Sequence, residues 1–343
     1  MKTNLFKLVA ILLLISPFAL QAQKISKKVY RSFPVSQVQK LDLDNKYGNI
    51  TISDSRKDSV IIDVTIWVDG NNDKARRLLD QISVNVSKSG STVSAETVFA
   101  NNFSSNQEFS IDYNISVPAD RDLDVSQKYG SVNMANLTGN GNFEIKYGEL
   151  RAKNLLSPQL MMDIAYSKVY ATETNDLSLV LKYSKFYLDK GKNLRLETRY
   201  STIESGDAQD ILLDSRYDNI KFRNITNLNV NSMYTGISVE KLARRLDLIN
   251  GYGNISVGSI PAGFEAINIE NKYASIKLGI EPGASYRLDG TVRYCNLTHP
   301  DGKFSSRIRE NTSYEVHGVI GNSESPKSAV KVNSSYGNVN LVP

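Results

Sequence analysis

The chain is poor in the residues that most enzyme chemistry needs. Its 343 residues include one cysteine, two histidines and one tryptophan. A lone cysteine excludes a disulfide framework within the chain and any multi-cysteine metal cluster. Two histidines exclude a three-histidine metal centre or a relay of several imidazoles. Charge of one sign is also scarce, with 41 Lys+Arg against 36 Asp+Glu and a net charge of +5. No run beyond Leu20 is apolar enough to cross a bilayer, which takes about 20 residues. The sequence carries no Gly-rich phosphate loop, nucleophile elbow or calcium-binding nonapeptide. At 41% hydrophobic and 22% charged it is an ordinary globular mixture, long enough for two average domains or one elongated array.

What is present begins with an export signal. Residues 1–22 place Lys2 and Lys7 before the apolar run Leu8 to Leu20, with Gln21-Ala22 at a cleavage point. This is the pattern of a cleaved signal peptide, too short for a membrane helix. The region lacks a cysteine, so no lipid attaches to a mature N-terminal Cys. Its removal takes away two lysines and no acid, leaving a net charge of +3. That weak excess does not point to nucleic acid. The expected location is the periplasm or the outer cell surface, with no transmembrane segment in the mature chain.

Tyrosine sets the architecture. Tyr129, Tyr147, Tyr166, Tyr183, Tyr200, Tyr217, Tyr234, Tyr252 and Tyr273 recur at steps of 17 to 21 residues. Tyr47 opens the series, and Tyr294, Tyr314 and Tyr336 continue it less regularly. Six and four residues before most of these Tyr residues stand apolar pairs such as Leu177/Leu179 and Leu194/Leu196. A mostly small residue follows it (Gly130, Ser184, Thr235), and an apolar one stands three positions on (Val132, Phe186, Ile237). Period-2 patterning means strand, and its change of parity beside a small residue means a corner. Each unit reads as strand, tight corner, strand, loop: a slim coil with two or three short faces. Coils stacked at about 4.8 Å build parallel sheets. An antiparallel meander is the rival, but the same frame in every unit favours a solenoid, where like residues sit above like.

The repeat is interrupted between Tyr47 and Tyr129. Ser59–Val68 is an alternating apolar strand, Asn71-Asn72-Asp73 offers an N-cap before a short helix at Lys74–Asp80, and Gln81–Ser87, Thr92–Phe99 and Phe109–Val117 read as strands. Residues 59–118 therefore form a β-rich capping insertion over the open end of the array. The expected organisation is signal peptide 1–22, N-terminal strand and first coil 23–58, capping insertion 59–118 and solenoid 119–343. The fold class is all-β, a parallel β-solenoid (β-helix) with one short helix.

With the Val117-Pro118 junction and the units Tyr47-Gly48-Asn49-Ile50, Tyr129-Gly130-Ser131-Val132, Tyr252-Gly253-Asn254-Ile255 and Tyr336-Gly337-Asn338-Val339, the chain resembles the bacterial "putative adhesin" β-solenoid families. These include the auto-transporter type and those with the head domain named for its Gly-Ile-Asn signature. The resemblance implies a β-solenoid of adhesin type and supplies no catalytic residues. The middle units depart from it by replacing Gly with Ser, Asp or Thr.

Three features are candidate sites. The residue before the Tyr is basic in eight of thirteen units, and Asp44, Glu144, Glu197, Asp214 and Glu270 stand two residues before their own bases. Interleaved acids relieve stacked cations, so a paired, solubilising surface is the default. Lys128, Lys182 and Arg293 lack such an acid and are the candidates for an anionic ligand. The tyrosines are either an exposed stripe that stacks on sugar rings or a buried corner ladder; their recurrence favours the structural, buried reading. His299, His317 and Cys295 offer three soft ligands without an evident fourth, so no metal and no cofactor is expected. The expected function is an exported, non-enzymatic binding or structural module of the cell envelope, with a glycan or an envelope protein as partner and no nucleic acid. The alternatives are a polysaccharide-active β-helix enzyme and an accessory protein acting through a protein partner.

Overall fold

The structure, a computed structural model, describes residues 24–55 and 58–342; the signal-peptide expectation for residues 1–22 lies outside the described residues. It is a parallel β-solenoid with one short helix. The long strands Lys168–Lys182, Lys185–Arg199, Thr202–Arg216 and Asn219–Met233 pair side by side, all parallel and in register. Each makes two faces joined by a bend at its middle. In Lys185–Arg199 the inward set is Phe186 and Leu188 before the bend, then Leu194, Leu196 and Thr198 after it. Those side chains are buried against the equivalent ones of neighbouring coils, each apolar one contributing about 1.5–3 kcal/mol. Strict alternation is thus enforced by a core only one coil wide.

Both ends of the array are closed by antiparallel strands. At the N-terminal end the first coil, Lys40–Lys46 and Ile50–Asp54, is flanked by Thr92–Phe99 and Phe109–Val117. These pair antiparallel with Ile82–Ser89 and Ser59–Asp69, and the latter takes Lys24–Pro34 on its far edge. The helix Asp73–Asp80 is capped by Asn72, whose side chain accepts from the Ala75 amide at 2.9 Å. Its Ala75 and Leu78 pack with Val68.

The C-terminal end departs from simple stacking. The last long strand, Ser328–Ser335, lies between Ala266–Lys272 and Tyr286–Arg293. The spatial order of the final coils is therefore Tyr273, Tyr336, Tyr294. The cause is the hairpin Gly302–Glu310/Ser313–Ile320, which pairs antiparallel along the outer edge of Tyr286–Arg293 and leaves no room beyond it. Tyr314, expected as a repeat position, belongs to this hairpin and is buried. The last coil thus acts as a wedge. Val332→Asp, which sets an unpaired carboxylate in that core, is expected to cost about 3–5 kcal/mol locally. Hydrogen exchange should then rise across residues 266–342 while the amides of 168–233 stay protected, because coils contact only their neighbours.

Candidate functional site

The tyrosines form one continuous column. Its order is Tyr47, Tyr129, Tyr147, Tyr166, Tyr183, Tyr200, Tyr217, Tyr234, Tyr252, Tyr273, Tyr336 and Tyr294. Neighbouring ring centroids lie 4.7–5.1 Å apart and ring planes within 11° of parallel. Every one of these residues has a left-handed backbone, with φ between 51° and 64°. The corner is therefore at the Tyr itself, one position earlier than the small residue expected to make it. The backbone reversal leaves the ring and the residue before it outward and turns the residue after it inward, as exposed Lys182 and buried Ser184 show around Tyr183. The buried reading is thus corrected: apart from the half-buried Tyr47, these rings are 44–57% exposed. The exposed reading is corrected too, because each inner ring has both faces covered by its neighbours. Only ring edges and phenol hydroxyls remain for a ligand, so stacking on sugar rings is not available along the column.

A left-handed non-glycine residue costs about 1–2 kcal/mol, and an aromatic pair returns about 0.5–1.5 kcal/mol beyond its area. With one stack per tyrosine the two nearly cancel. Beneath the column, two devices satisfy the tightly approaching backbones. In glycine coils a side chain would strike the preceding coil: a Cβ on Gly130 would lie 1.7 Å from the Gly48 oxygen. In most of these coils, and in that of Ala274, a buried polar residue two before the Tyr reaches a nearby carbonyl, as Gln127 does to Gly48 (2.6 Å), Asn250 to Gly253 (2.7 Å) and Asn271 to Ala274 (2.8 Å). In the middle coils that slot is apolar (Ile145, Ile164, Leu181), and hydroxyls after the Tyr take over. The amides of Gly148, Ser167 and Ser184 donate to the hydroxyls of Ser167, Ser184 and Ser201 at 3.0–3.2 Å. Asp218 continues that run, its amide donating to the Thr235 hydroxyl and its buried carboxylate accepting from the Ser201 and Arg216 amides and from the Thr198 and Ser215 hydroxyls. Sequence reasoning missed the slot two before the Tyr, although parity alone places it inward.

The three candidate cations are not brought together. Lys128 lies near one end of the column and Arg293 at the other, with Lys182 between Ala165 and Arg199 in the middle. None has an ion pair among the described residues. Lys128 acts on Asp44, whose carboxyl is held above its ordinary range by burial first and Glu96 second, Lys128 opposing both. Elsewhere pairing follows the sequence pattern only in part. Lys146 meets Glu144 at 2.5 Å, but Arg199 reaches Asp214 of the next coil (2.9 Å) more closely than its own Glu197 (3.5 Å). Also missed were Lys168 and Lys185, which occupy the other flank of the column two residues after Tyr166 and Tyr183.

The soft ligands stay apart as well. His299 bonds the Pro300 carbonyl and the Tyr314 hydroxyl, and the Cys295 thiol faces the Ser334 carbonyl at 3.7 Å. Among the described residues no group of three His, Cys, Asp or Glu could hold a metal ion. His317 sits between Glu315 (2.8 Å) and Asp289 (3.1 Å), and the Glu315 bond foremost raises its pKa. A raised folded-state pKa adds stability that is full below the unfolded value of about 6.5 and fades as pH rises through the folded one. Thermal melts across that window should show the wild type losing stability with rising pH and His317→Gln showing a flatter profile.

The balance of strain and stacking fixes a mutational order at Tyr200. Tyr200→Phe keeps both stacks and should lie within about 0.5 kcal/mol of wild type. Tyr200→Ala loses two stacks and keeps the strain, a loss of about 1–3 kcal/mol, whereas Tyr200→Gly recovers about 1 kcal/mol of it. Denaturant unfolding that ranks Ala above Gly would refute this accounting.

Solved structures resemble the chain at low identity. A "putative adhesin" from Parabacteroides merdae is 10% identical over 92% of this chain and 97% of its own, with a TM-score of 0.33. A "putative cell adhesion protein" from Clostridium sporogenes is 11% identical over 92% and 99%, with a TM-score of 0.22. A "putative lipid binding protein" from Parabacteroides distasonis is 12% identical over 92% and 97%, with a TM-score of 0.23. No protein of curated function matches the chain by sequence. The family model described as Toastrack DUF4097 matches residues 38–342, nearly all of the coil array and both its closures, and the chain belongs to that family.

Proposed function

We propose that the protein is an exported, non-enzymatic binding module of the bacterial cell envelope, of adhesin type, which presents one long edge of its solenoid to a glycan or envelope-protein partner. The observation that carries this reading is the tyrosine column. Twelve phenol hydroxyls stand in line on a solvated edge. None of them has a hydrogen-bond partner within the described residues. Stacking alone would be met equally by phenylalanine, yet the chain's phenylalanines never occupy the column. A recurring donor array at fixed spacing suits a long partner rather than a small molecule held in a cleft. The basic leader-like segment at residues 1–22 supports export, and among the described residues no helix is long and apolar enough to cross a membrane.

Protease shaving of intact cells, followed by fractionation, tests the address. Loss of the protein on shaving, or its recovery from the periplasm, is expected; a cytoplasmic pool overturns the reading. The purified protein, incubated with envelope polysaccharides, is expected to release no fragments. Hydrolysis or lyase products would replace the binding module with an enzyme.

A further inference from the structure

We propose that the flank of the tyrosine column around Tyr166–Tyr200 is a binding site for an anionic polysaccharide, with Lys168 and Lys185 as its cationic centre; this names a ligand class for the binding-module reading and rests on it.

The first observation is a pair of stacked lysines that no acid relieves. Along the far bend, stacked Glu173, Lys190 and Asp207 alternate in sign: Glu173 meets Lys190 at 2.9 Å, and Asp207 meets Arg223, the neighbour of its register partner Asn224, at 3.0 Å. Lys168 and Lys185, by contrast, are direct partners on adjacent parallel strands, both exposed. Like charges at strand spacing repel and destabilise the pair. Among the described residues neither has an ion pair, and Glu149, the acid in register on the preceding coil, is taken by Arg151. Across the column Lys182 and Arg216 are also without an ion pair. This flank therefore holds an excess of positive charge that the fold does not neutralise.

The second observation is a local addition to the repeat. Two residues beyond the lysines, on the same outward face, Tyr170 and Tyr187 form a second stacked pair (5.0 Å, 8°), with the Arg151 guanidinium 4.4 Å from the Tyr170 ring centre. The coils on either side carry Arg151 and Glu204 at that position, so the second column is confined to the coils that carry the paired lysines. A groove of about 500 Å³ runs beside Tyr166, Tyr183 and Tyr200, with Lys168, Lys185 and Thr202 along its wall.

The donor chemistry selects the ligand. Ammonium groups and phenol hydroxyls are offered in rows, while the ring faces of the main column are consumed by stacking on one another. A nucleic acid needs free aromatic faces for its bases. A linear polymer rich in hydroxyls and carboxylates or sulfates needs only donors and positive charge along its length. That is an acidic polysaccharide.

Calorimetric titration of the purified protein with polygalacturonate oligomers, and with the same oligomers methyl-esterified, tests the inference. The acidic oligomer should bind and the neutral ester should not. Binding should weaken about tenfold or more in Lys168→Gln/Lys185→Gln, and it should be screened in about 0.5 M salt. Lys277→Gln, an exposed lysine far from the groove, should bind as wild type does. The double variant should melt no lower than wild type, because it removes a repulsion, so its loss of binding is not a loss of fold. Equal binding by wild type and the double variant, or no binding of either polygalacturonate or dextran sulfate, overturns the proposal. So does binding to phosphatidylglycerol vesicles without binding to the soluble polymer, which would indicate a membrane surface. If the methyl ester binds as tightly, the binding module stands and its anionic ligand falls.

Discussion

The structure depends on one vertical contact, the stack of a left-handed tyrosine on the next. A coil of 17 residues has little core of its own, so its position is set by what lies above and below it. At the corner the backbone pays a left-handed penalty in every coil, and the ring returns a similar amount only when a neighbouring ring is in line. The corner thus couples backbone conformation to register. A coil that slipped by one residue would lose its stack while keeping its strain, and its alternating core would face outward.

The same corner brings backbones so close that their polar groups need dedicated partners. The protein solves this twice, with glycine above a buried amide at the ends of the array and with a run of hydroxyls in the middle. The two devices are complementary in composition apart from one transition coil: where Gln127, Asn250 or Asn271 is present the following small residue is glycine or alanine, where Ile164 or Leu181 is present it is serine, and Ile145 is followed by Gly148, whose amide donates to the Ser167 hydroxyl. Asp218 stands within the hydroxyl run, its carboxylate taking four donors at once. A buried carboxylate so satisfied avoids the several kcal/mol that an unpaired one costs.

The solenoid was legible in the sequence because its signal is redundant: alternation on both sides of the Tyr, repeated in coil after coil, leaves little freedom of register. The exposure of the rings was not, since a recurring aromatic is equally compatible with a buried or an outer column. Only the sign of φ at Tyr, invisible in a residue type that rarely adopts it, decides the matter. The threading of the last coil was hidden for a different reason. Tyr294 and Tyr336 carry the same frame, and nothing local tells which stacks on Tyr273; the order follows from the intervening hairpin, a long-range fact. At the candidate site, attention to acids near each base along the chain picked out Lys128, Lys182 and Arg293. The partner of greatest consequence for a stacked residue lies one coil away, which is why Lys168 beside Lys185 was passed over.

The threading also bears on how the array ends. A parallel sheet that stops exposes a row of unpaired amides and carbonyls, a template for another chain. At the N-terminal end Thr92–Phe99 and Phe109–Val117 extend both sheets of the first coil in parallel and are themselves covered by antiparallel partners. At the other end the hairpin 302–320 covers the outer edge of Tyr286–Arg293 before the chain is finished. The residues that follow can then stack only on the inner side of that strand, where Ser328–Ser335 joins the closed unit to the coil of Tyr273. The last coil is therefore a keystone, ordered only when both neighbours are in place. Its contacts span 42 and 63 residues of sequence at the tyrosine column, against 17 to 21 for the coils of the central run. Local stacking can propagate along that run without it, but the closed end cannot join the column until this strand is seated.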